Sequence, residues 1–126
     1  MPTVLIVDDD PKLLKMLQRT LTYENLNVFT APNGLEALPL VQANKPDLII
    51  ADLTMPGMDG FGLVEELKLD PRTRDIPVVV VSAKDITAEE RRRLNGNIEA
   101  VYQKGSLQPR KFVDQLIHTI EDKNGA

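Results

Sequence analysis

The stretch of residues 46–60, PDLIIADLTMPGMDG, most constrains what this chain can fold into. Within it, the apolar run at 48–51 is followed directly by the carboxylate of Asp52, and the stretch ends in a turn rich in glycine and proline. An apolar run of this length with a turn directly behind it predicts a buried parallel strand, not an amphipathic helix. Asp52 is then expected at the carboxyl end of the strand, where ligands and chemistry collect in open α/β sheets.

Strand and helix patterns alternate five times along the 126 residues. Strands are predicted at residues 3–7, 26–30, up to 52, 76–82 and 98–103, and helices at 11 to about 24, from 33–34, about 61–69, 87–94 and from about 109. This alternation predicts an α/β fold with a doubly wound five-stranded parallel sheet, flavodoxin-like, with helices on both faces and right-handed crossovers. The expected strand order is 2-1-3-4-5.

Several residues predict where these elements begin and end. Asp10 is a good N-cap and Pro11 a good first helical residue, since its missing N–H would have no helical partner. Pro39 cannot donate to Leu35, so we expect a kink or a late start in the second helix. Residues 95–96 predict a left-handed cap for the fourth helix. A single domain is expected over residues 1–126, with a core at about 3–121 and a polar tail at 122–126.

Composition excludes several classes of protein. Hydrophobic residues make up 42% and charged residues 27% of the chain, as is ordinary for a soluble globular domain. No apolar stretch approaches the roughly 20 residues that span a bilayer, and the amino terminus lacks a signal peptide, so we expect a cytoplasmic protein without a membrane partner. The absence of cysteine excludes disulfides and thiolate chemistry, and the net charge of -4 argues against nucleic acid as a direct partner.

Polar residues follow four of the predicted strands. The expected strand order has its switch point between strands 1 and 3, which brings Asp8 and Asp9 beside Asp52. Ser82 and Lys104, at the same ends of strands 4 and 5, are expected to border the same crevice. An Asp at a strand end, a lone Ser or a lone Lys usually has only a structural or solvated role. The convergence of all four strand ends is what predicts a functional site.

Three neighbouring carboxylates repel one another, and a hard divalent cation would relieve this repulsion. Mg²⁺ suits the site because it binds one or two carboxylates, keeps several waters and leaves room for phosphate oxygens. A carboxylate nucleophile, Mg²⁺, an ammonium and a hydroxyl together meet the needs of phosphoryl transfer. The sequence therefore predicts that Asp52 becomes an aspartyl phosphate, with Asp8 and Asp9 on the metal. Lys104 and Ser82 would contact phosphoryl oxygens.

These residues resemble a known family over essentially the full chain, the receiver domain of two-component response regulators. The matching segments are the acidic pair Asp8-Asp9, the phosphoacceptor segment at 52–60, Ser82-Ala83 and Lys104. The resemblance implies that a histidine kinase or phosphotransfer protein donates phosphate to Asp52.

The resemblance also implies the ligands and the output of the site. Mg²⁺ would be bound by Asp9, Asp52 and the backbone carbonyl of Thr54, with Asp8 acting mostly through water. Phosphorylation would pull the Ser82 hydroxyl inward and reshape the surface of helix 4, strand 5 and helix 5, which could also form a homodimer. The output partner or fused effector is not identified by the sequence.

Two positions depart from the pattern of the family. Gly105 stands where proline usually follows the lysine, and we expect the Lys104–Gly105 peptide to be trans. Val101 occupies the place of the usual switch aromatic, whereas Tyr102 is expected on the opposite face of the strand. Lys-Gly-Ser at 104–106 resembles receivers fused to sensor kinases.

Two other kinds of function remain open from the residues. One is a phosphate-independent interaction module that keeps the site as a remnant. The other is a true enzyme, either an aspartyl-phosphate phosphatase or a flavin-binding redox protein; such phosphatases carry a second Asp where this chain has Thr54.

Arg91, Arg92 and Arg93 are expected on a solvated helix and not on one flat basic face, because consecutive helical residues point about 100° apart. His118 is expected on the exposed side of the last helix.

Overall fold

The computed structural model describes residues 2–53, 60–83, 85–94 and 96–125 of the chain. Within these ranges strands and α-helices alternate from one end to the other, with a 3₁₀ turn at Lys104–Ser106. The strands are β1 (Thr3–Val7), β2 (Asn27–Ala31), β3 (Leu48–Ala51), β4 (Val78–Ser82) and β5 (Ala100–Gln103). The helices are α1 (Pro11–Tyr23), α2 (Gly34–Asn44), α3 (Gly60–Leu69), α4 (Ala88–Leu94) and α5 (Pro109–Gly125).

The described strands form one parallel sheet in the order β2-β1-β3-β4-β5. β1 lies between β2 and β3, with Val7 opposite both Ala31 and Ala51. The chain therefore adds β2 on one side of β1 and then β3, β4 and β5 on the other side, so the switch point lies between β1 and β3. The predicted α/β fold, strand order and switch point are confirmed.

Each face of the sheet is covered by a separate apolar cluster. The first cluster packs α2, α3 and α4 against one face and includes Leu5, Ile49 and Val80. The second packs α1 and α5 against the other face and includes Ile6 and Ile50 of the same strands. Alternate residues of one strand point to opposite faces, so a strand buried on both sides must be apolar throughout. This is why β3 and β4 read as unbroken apolar runs.

The helix α1 begins as the sequence predicts. The Asp10 side chain accepts a hydrogen bond from Lys12 N at 3.0 Å, and Pro11 is the first helical residue. The side chain thus satisfies one of the backbone N–H groups that have no partner inside the helix. Leu13, Leu17 and Leu21 are buried at helical spacing and fix the face that α1 turns to the sheet.

Pro39 does not delay the start of α2, so that part of the prediction is wrong. The helix begins at Gly34, and the Asn33 side chain caps it by accepting from Glu36 N at 2.9 Å. Ala37 and Val41 are buried on either side of the proline, while Pro39 itself is exposed. Packing on the buried face therefore holds the helix together across the missing hydrogen bond. A kink at Pro39 stays a prediction.

Other element boundaries differ from the predicted ones by one or two residues. β2 is shifted by one residue, whereas β4 and β5 begin two residues later than predicted. Before β4, Pro77 has no N–H to donate to a neighbouring strand. Before β5, Asn97 N bonds to Leu94 O in a turn. Gly96 has the predicted left-handed backbone, with φ of 79°, while Asn95 lies outside the described residues.

The last helix extends further than the sequence analysis expects. α5 runs to Gly125, so the polar residues 122–125 continue the helix. The segment after Ile120 is polar, but it contains no proline, and its only glycine is at the end. Polarity alone does not stop a helix whose preceding turns, including Phe112 and Leu116, are anchored in the core.

The two-cluster core predicts unequal effects for two leucines of α3. Leu67 is 1% exposed, whereas Leu69 is 78% exposed. We expect Leu67→Ala to lower the free energy of unfolding by about 2–5 kcal/mol, because it removes buried methyl groups and leaves a cavity. Leu69→Ala should change it by less than about 0.5 kcal/mol. Urea denaturation of both variants measures this, and similar losses would contradict the packing described.

Candidate functional site

Two backbone hydrogen bonds place Asp8 and Asp52 side by side. Asp8 N donates to Ala31 O at 3.0 Å, and Asp52 N donates to Val7 O at 3.0 Å. The first bond continues the pairing of β1 with β2, and the second the pairing of β3 with β1, by one residue beyond the strand ends. The two carboxylates therefore emerge from adjacent strand ends, and they are almost fully buried at 1% and 4% exposure.

Asp9 joins these two residues to form an acidic pocket. One carboxylate oxygen from each of Asp8, Asp9 and Asp52 lies within 4.8 Å of the others. Asp9 is exposed, whereas the other two are buried, so the pocket opens to solvent on the side of Asp9. The sequence prediction that these three side chains meet is confirmed.

Lys104 brings a positive charge into this pocket from the end of β5, which is two strands away from β3 in the sheet. Its Nζ lies 2.9 Å from Asp8 Oδ2 and 3.2 Å from Asp52 Oδ2, and its side chain is 18% exposed. Desolvation by burial lowers the pKa of Lys104, but the hydrogen bond and charge of Asp8, followed by those of Asp52, outweigh it, so the pKa is raised overall. The lysine is therefore a cation at any physiological pH.

The pKa of Asp8 is raised above its ordinary value. Desolvation by burial is the largest cause, and the charge of Asp52 adds to it. The hydrogen bonds from Lys104 and from Asp10 N, the latter 2.9 Å long, lower the pKa and only partly compensate. One ammonium is thus not enough to neutralise the pocket, and a further positive charge would be stabilised there.

The remaining predicted residues occupy the same edge of the sheet or lie outside the described ranges. Ser82 is the last residue of β4 and is 1% exposed. It pairs in register with Gln103, the residue before Lys104, which puts both predicted groups at neighbouring strand ends. Thr54, whose backbone carbonyl is a predicted metal ligand, lies outside the described residues, as does the rest of 54–59.

The two departures from the family pattern have clear structural consequences. The Lys104–Gly105 peptide is trans, as expected. Val101 packs on the cluster of α2, α3 and α4, whereas Tyr102 packs on the opposite cluster. The Tyr102 ring meets the Phe112 ring edge to face, with centroids 4.8 Å apart. The predicted reversal of Tyr102 relative to Val101 is confirmed.

The donor set fits a hard divalent cation. Among the described residues, the acidic pocket offers carboxylate oxygens, which are ligands that Mg²⁺ prefers in proteins, and its exposed edge at Asp9 leaves space for water. The uncompensated burial of Asp8 supplies the electrostatic reason for a cation to bind.

Gly60 supports the acidic pocket, although the sequence analysis assigned it only to a turn. Its N–H donates to Leu53 O at 3.2 Å. A Cβ at this position would lie 2.7 Å from Leu53 Cα and 2.9 Å from Asp52 C, closer than such atoms can approach. The first residue of α3 therefore lies directly against the backbone of Asp52. Only the packed structure reveals this contact, because the seven residues between them in sequence say nothing about their distance.

Comparison with known proteins agrees with the geometry. The family model of the response regulator receiver domain matches residues 4–116. Response regulator PleD from Caulobacter vibrioides (strain NA1000 / CB15N) is 45% identical over 82 residues, which are 65% of this chain and 18% of PleD. Heme response regulator HssR from Staphylococcus aureus (strain MRSA252) is 40% identical over 88 residues, which are 70% of this chain and 38% of HssR.

Solved structures show the same similarity across nearly the whole chain. The N-terminal domain of a response regulator receiver protein from Methanoculleus marisnigri JR1 has 36% identity and a TM-score of 0.76, covering 95% of this chain and 94% of that one. The signal receiver domain of a signal transduction histidine kinase from Syntrophus aciditrophicus has 26% identity and a TM-score of 0.88, covering 100% and 95%.

The chain belongs to the response regulator receiver domain family. It is a receiver domain of a two-component system and not a turnover enzyme, and its acidic pocket with Lys104 is consistent with a phosphoacceptor switch. Membership of the family implies a histidine kinase as partner. None of the described helices combines the length and the apolar character needed to cross a bilayer. The chain matches well under half the length of the two curated relatives.

The contact at Gly60 predicts a steric effect that a second glycine should not show. Gly60→Ala should lower the free energy of unfolding by about 1–3 kcal/mol, because the new methyl group must displace the backbone at Asp52. Gly105→Ala is the matched control, since a Cβ there meets nothing within 4 Å. Chemical denaturation measures both effects. Equal stability of the two variants would contradict the close approach.

The raised pKa of Asp8 predicts the sign of a pH dependence in Mg²⁺-free buffer. The folded state binds the Asp8 proton more tightly than the unfolded state, so this residue destabilises the fold as pH rises from its ordinary pKa through the raised one. We expect Asp8→Asn to be more stable than wild type at about pH 7, with the difference shrinking towards about pH 4. Asp9→Asn, at an exposed position, is the control. A difference that grows on acidification would have the wrong sign.

Proposed function

We propose that this domain is a phosphorylation-dependent switch in which Asp52 accepts a phosphoryl group from a histidine kinase or phosphotransfer protein. An Asp52 carboxylate oxygen attacks phosphorus and forms an acyl phosphate. The bond from phosphorus to the donor histidine nitrogen breaks, and its electron pair stays on the imidazole, which then takes a proton from solvent. Near-complete burial of the carboxylate supports this role, since it shields the reacting oxygen from competing water.

The proposed role of Lys104 follows from its contact with the nucleophile. Its Nζ is 3.2 Å from Asp52 Oδ2, so a phosphoryl group attached to Asp52 would carry its oxygens into the reach of the ammonium. The raised pKa keeps the charge in place at any physiological pH. Lys104 would thus orient Asp52 before transfer and neutralise a phosphoryl oxygen during it.

The proposed metal ligands are Asp9, Asp52 and the backbone carbonyl of Thr54, with Asp8 acting mostly through water. When bound, Mg²⁺ would supply positive charge against the phosphoryl oxygens. Asp9 suits direct coordination because it lies at the exposed edge of the acidic pocket. Asp8 suits a supporting role because both its oxygens already contact Lys104.

The proposed readout begins at Ser82. Its hydroxyl would bond a phosphoryl oxygen, which would move the end of β4 and change the surface made by α4, β5 and α5. That surface is proposed to contact the output partner or a fused effector, or a second copy of the chain. Val101 packs here in place of a ring, so movement of an aromatic at this position cannot carry the change.

The organisation around this switch is also a proposal. We place a single receiver domain over residues 1–126, in the cytoplasm, without direct contact to nucleic acid or membrane. The Syntrophus receiver is a domain of a signal transduction histidine kinase. Its similarity supports the proposal that this domain comes from, or is related to, a receiver fused to such a kinase.

One observation carries the proposal, namely that the Lys104 ammonium contacts Asp8 and Asp52 from across the sheet. A remnant site in a phosphate-independent module would have no reason to keep two buried carboxylates around one lysine. Partner binding that is equally tight for wild type and Asp52→Ala would nonetheless favour that module over the switch.

The proposal predicts Mg²⁺-dependent binding of beryllofluoride, which stands in for the phosphoryl group. Wild type should bind it and Asp52→Asn should not. Lys104→Ala should weaken binding by about 1.5–3 kcal/mol, because it removes a charge-assisted hydrogen bond. Lys111→Ala, at an exposed lysine of α5, is the matched control. Isothermal titration measures all four proteins. Binding by Asp52→Asn, or binding without Mg²⁺, would overturn the assignment.

A further inference from the structure

The helix α4 has few anchors in the apolar core. Leu94 is the buried residue among its seven, and the rest of the helix consists of one alanine, two glutamates and three arginines. A reciprocal cap closes its first turn, where Glu90 N donates to Thr87 Oγ1 at 3.1 Å and Thr87 N donates to Glu90 Oε1 at 3.0 Å. This cap shapes the helix but does not attach it to the sheet. Side-chain contacts from the rest of the helix therefore help to fix its orientation.

Arg93 makes two such contacts with α3. Its guanidinium carbon lies 4.3 Å from the centroid of the Phe61 ring, and one guanidinium nitrogen donates to Glu65 Oε1 at 2.9 Å. The ring is 7% exposed, so the guanidinium covers a largely buried aromatic face. Arg93 lies on the solvated helix that the sequence predicts, with its side chain 51% exposed, and its guanidinium also contacts α3. Sequence could not reveal this contact, since 32 and 28 residues separate Arg93 from Phe61 and Glu65.

Phe61 lies between Arg93 and the part of α3 that contacts the backbone of Asp52. It follows Gly60, whose backbone lies against Asp52 and Leu53 with no room for even a methyl group. The first turn of α3 therefore touches the backbone of the phosphoacceptor on one side and Arg93 on the other. A shift of that turn must be felt both at Asp52 and at α4, because close-packed groups transmit displacement.

We propose that Arg93 is a positioning residue for Asp52, which holds the first turn of α3 in place and couples the phosphoacceptor to α4. This inference rests on the proposed function, in which Asp52 carries the phosphoryl group. Arg93 touches neither the acidic pocket nor a phosphoryl group. It acts through Phe61 and Gly60, and its planar guanidinium suits both contacts, since it can lie on a ring while donating sideways to a carboxylate.

The coupling is reciprocal. If Arg93 helps to hold Asp52 in the binding geometry, then a ligand on Asp52 must change the stability of α4 by the same free energy. Loss of the contact should weaken binding at Asp52, because part of the binding free energy is then spent on ordering the turn. It should also leave α4 insensitive to the ligand.

The experiment compares four variants of the chain for Mg²⁺-dependent beryllofluoride binding. Arg93→Ala should weaken binding by about threefold to tenfold, which is the size of one cation–π contact and one exposed ion pair together. Arg93→Lys should recover part of the loss, because the ammonium keeps the charge but cannot lie flat on the ring. Glu65→Gln should weaken binding less than Arg93→Ala. Arg92→Ala, which changes the neighbouring exposed arginine, should bind like wild type.

Hydrogen exchange of the α4 amides supplies a second readout that a merely structural role would not move. Beryllofluoride should change the protection of residues 88–94 in wild type and in Arg92→Ala, but not in Arg93→Ala. If Arg93→Ala is too unstable to study, Arg93→Lys and Glu65→Gln carry the comparison. Wild-type affinity together with a ligand response in α4 of the Arg93 variants would overturn the inference while leaving the phosphoacceptor role of Asp52 intact. Failure of wild type to bind would instead overturn the proposed function.

Discussion

The structure depends most on the contact of one lysine with two buried carboxylates. Lys104 reaches Asp8 and Asp52 from positions 96 and 52 residues away in sequence, so its contacts exist only if β1, β3 and β5 end at the same edge of the sheet. The parallel arrangement guarantees this, because each crossover returns the chain to the same starting edge of the sheet. The acidic pocket is therefore a direct product of the topology. Any change of strand order would separate its members.

The same arrangement explains why the charged carboxylates of the site lower the free energy of unfolding. Burial raises the pKa of Asp8, and Lys104 offsets only part of the repulsion between neighbouring carboxylates. The two apolar clusters, with Leu17, Ile49 and Val80 fully buried, supply the stability that tolerates this cost. A site held in this condition responds strongly to a bound cation, because the cation offsets unfavourable negative charge. A phosphoryl group adds negative charge, which the cation and Lys104 must then balance. β3 and β4 are buried along their whole length, whereas Leu94 is the buried residue of α4.

Much of the fold could be predicted from local pattern, since the apolar runs and the helical spacing are encoded residue by residue. The same holds for Asp10, which caps α1 because of its own side chain, and for Asp52, which follows an apolar run. The meeting of Asp8, Asp9 and Asp52 followed from the predicted strand order, but contacts that depend on how the helices pack could not be predicted in this way. The approach of Gly60 to Asp52 and the placement of Arg93 over Phe61 depend on how α3 and α4 pack, which no local pattern records. A late start of α2, one of the two effects expected of Pro39, does not occur, because buried neighbours, which sequence cannot weigh, outcompete the local effect of the proline.

The most direct test of this account is a crystal structure of the domain with Mg²⁺ and beryllofluoride. The account predicts beryllium bonded to an Asp52 carboxylate oxygen, the metal bound at Asp9, and a fluorine atom about 2.7–3.2 Å from Lys104 Nζ. Beryllofluoride bound elsewhere, or a Lys104 side chain turned away from residue 52 in the complex, would contradict the claim that these strand ends form one phosphoryl-accepting site.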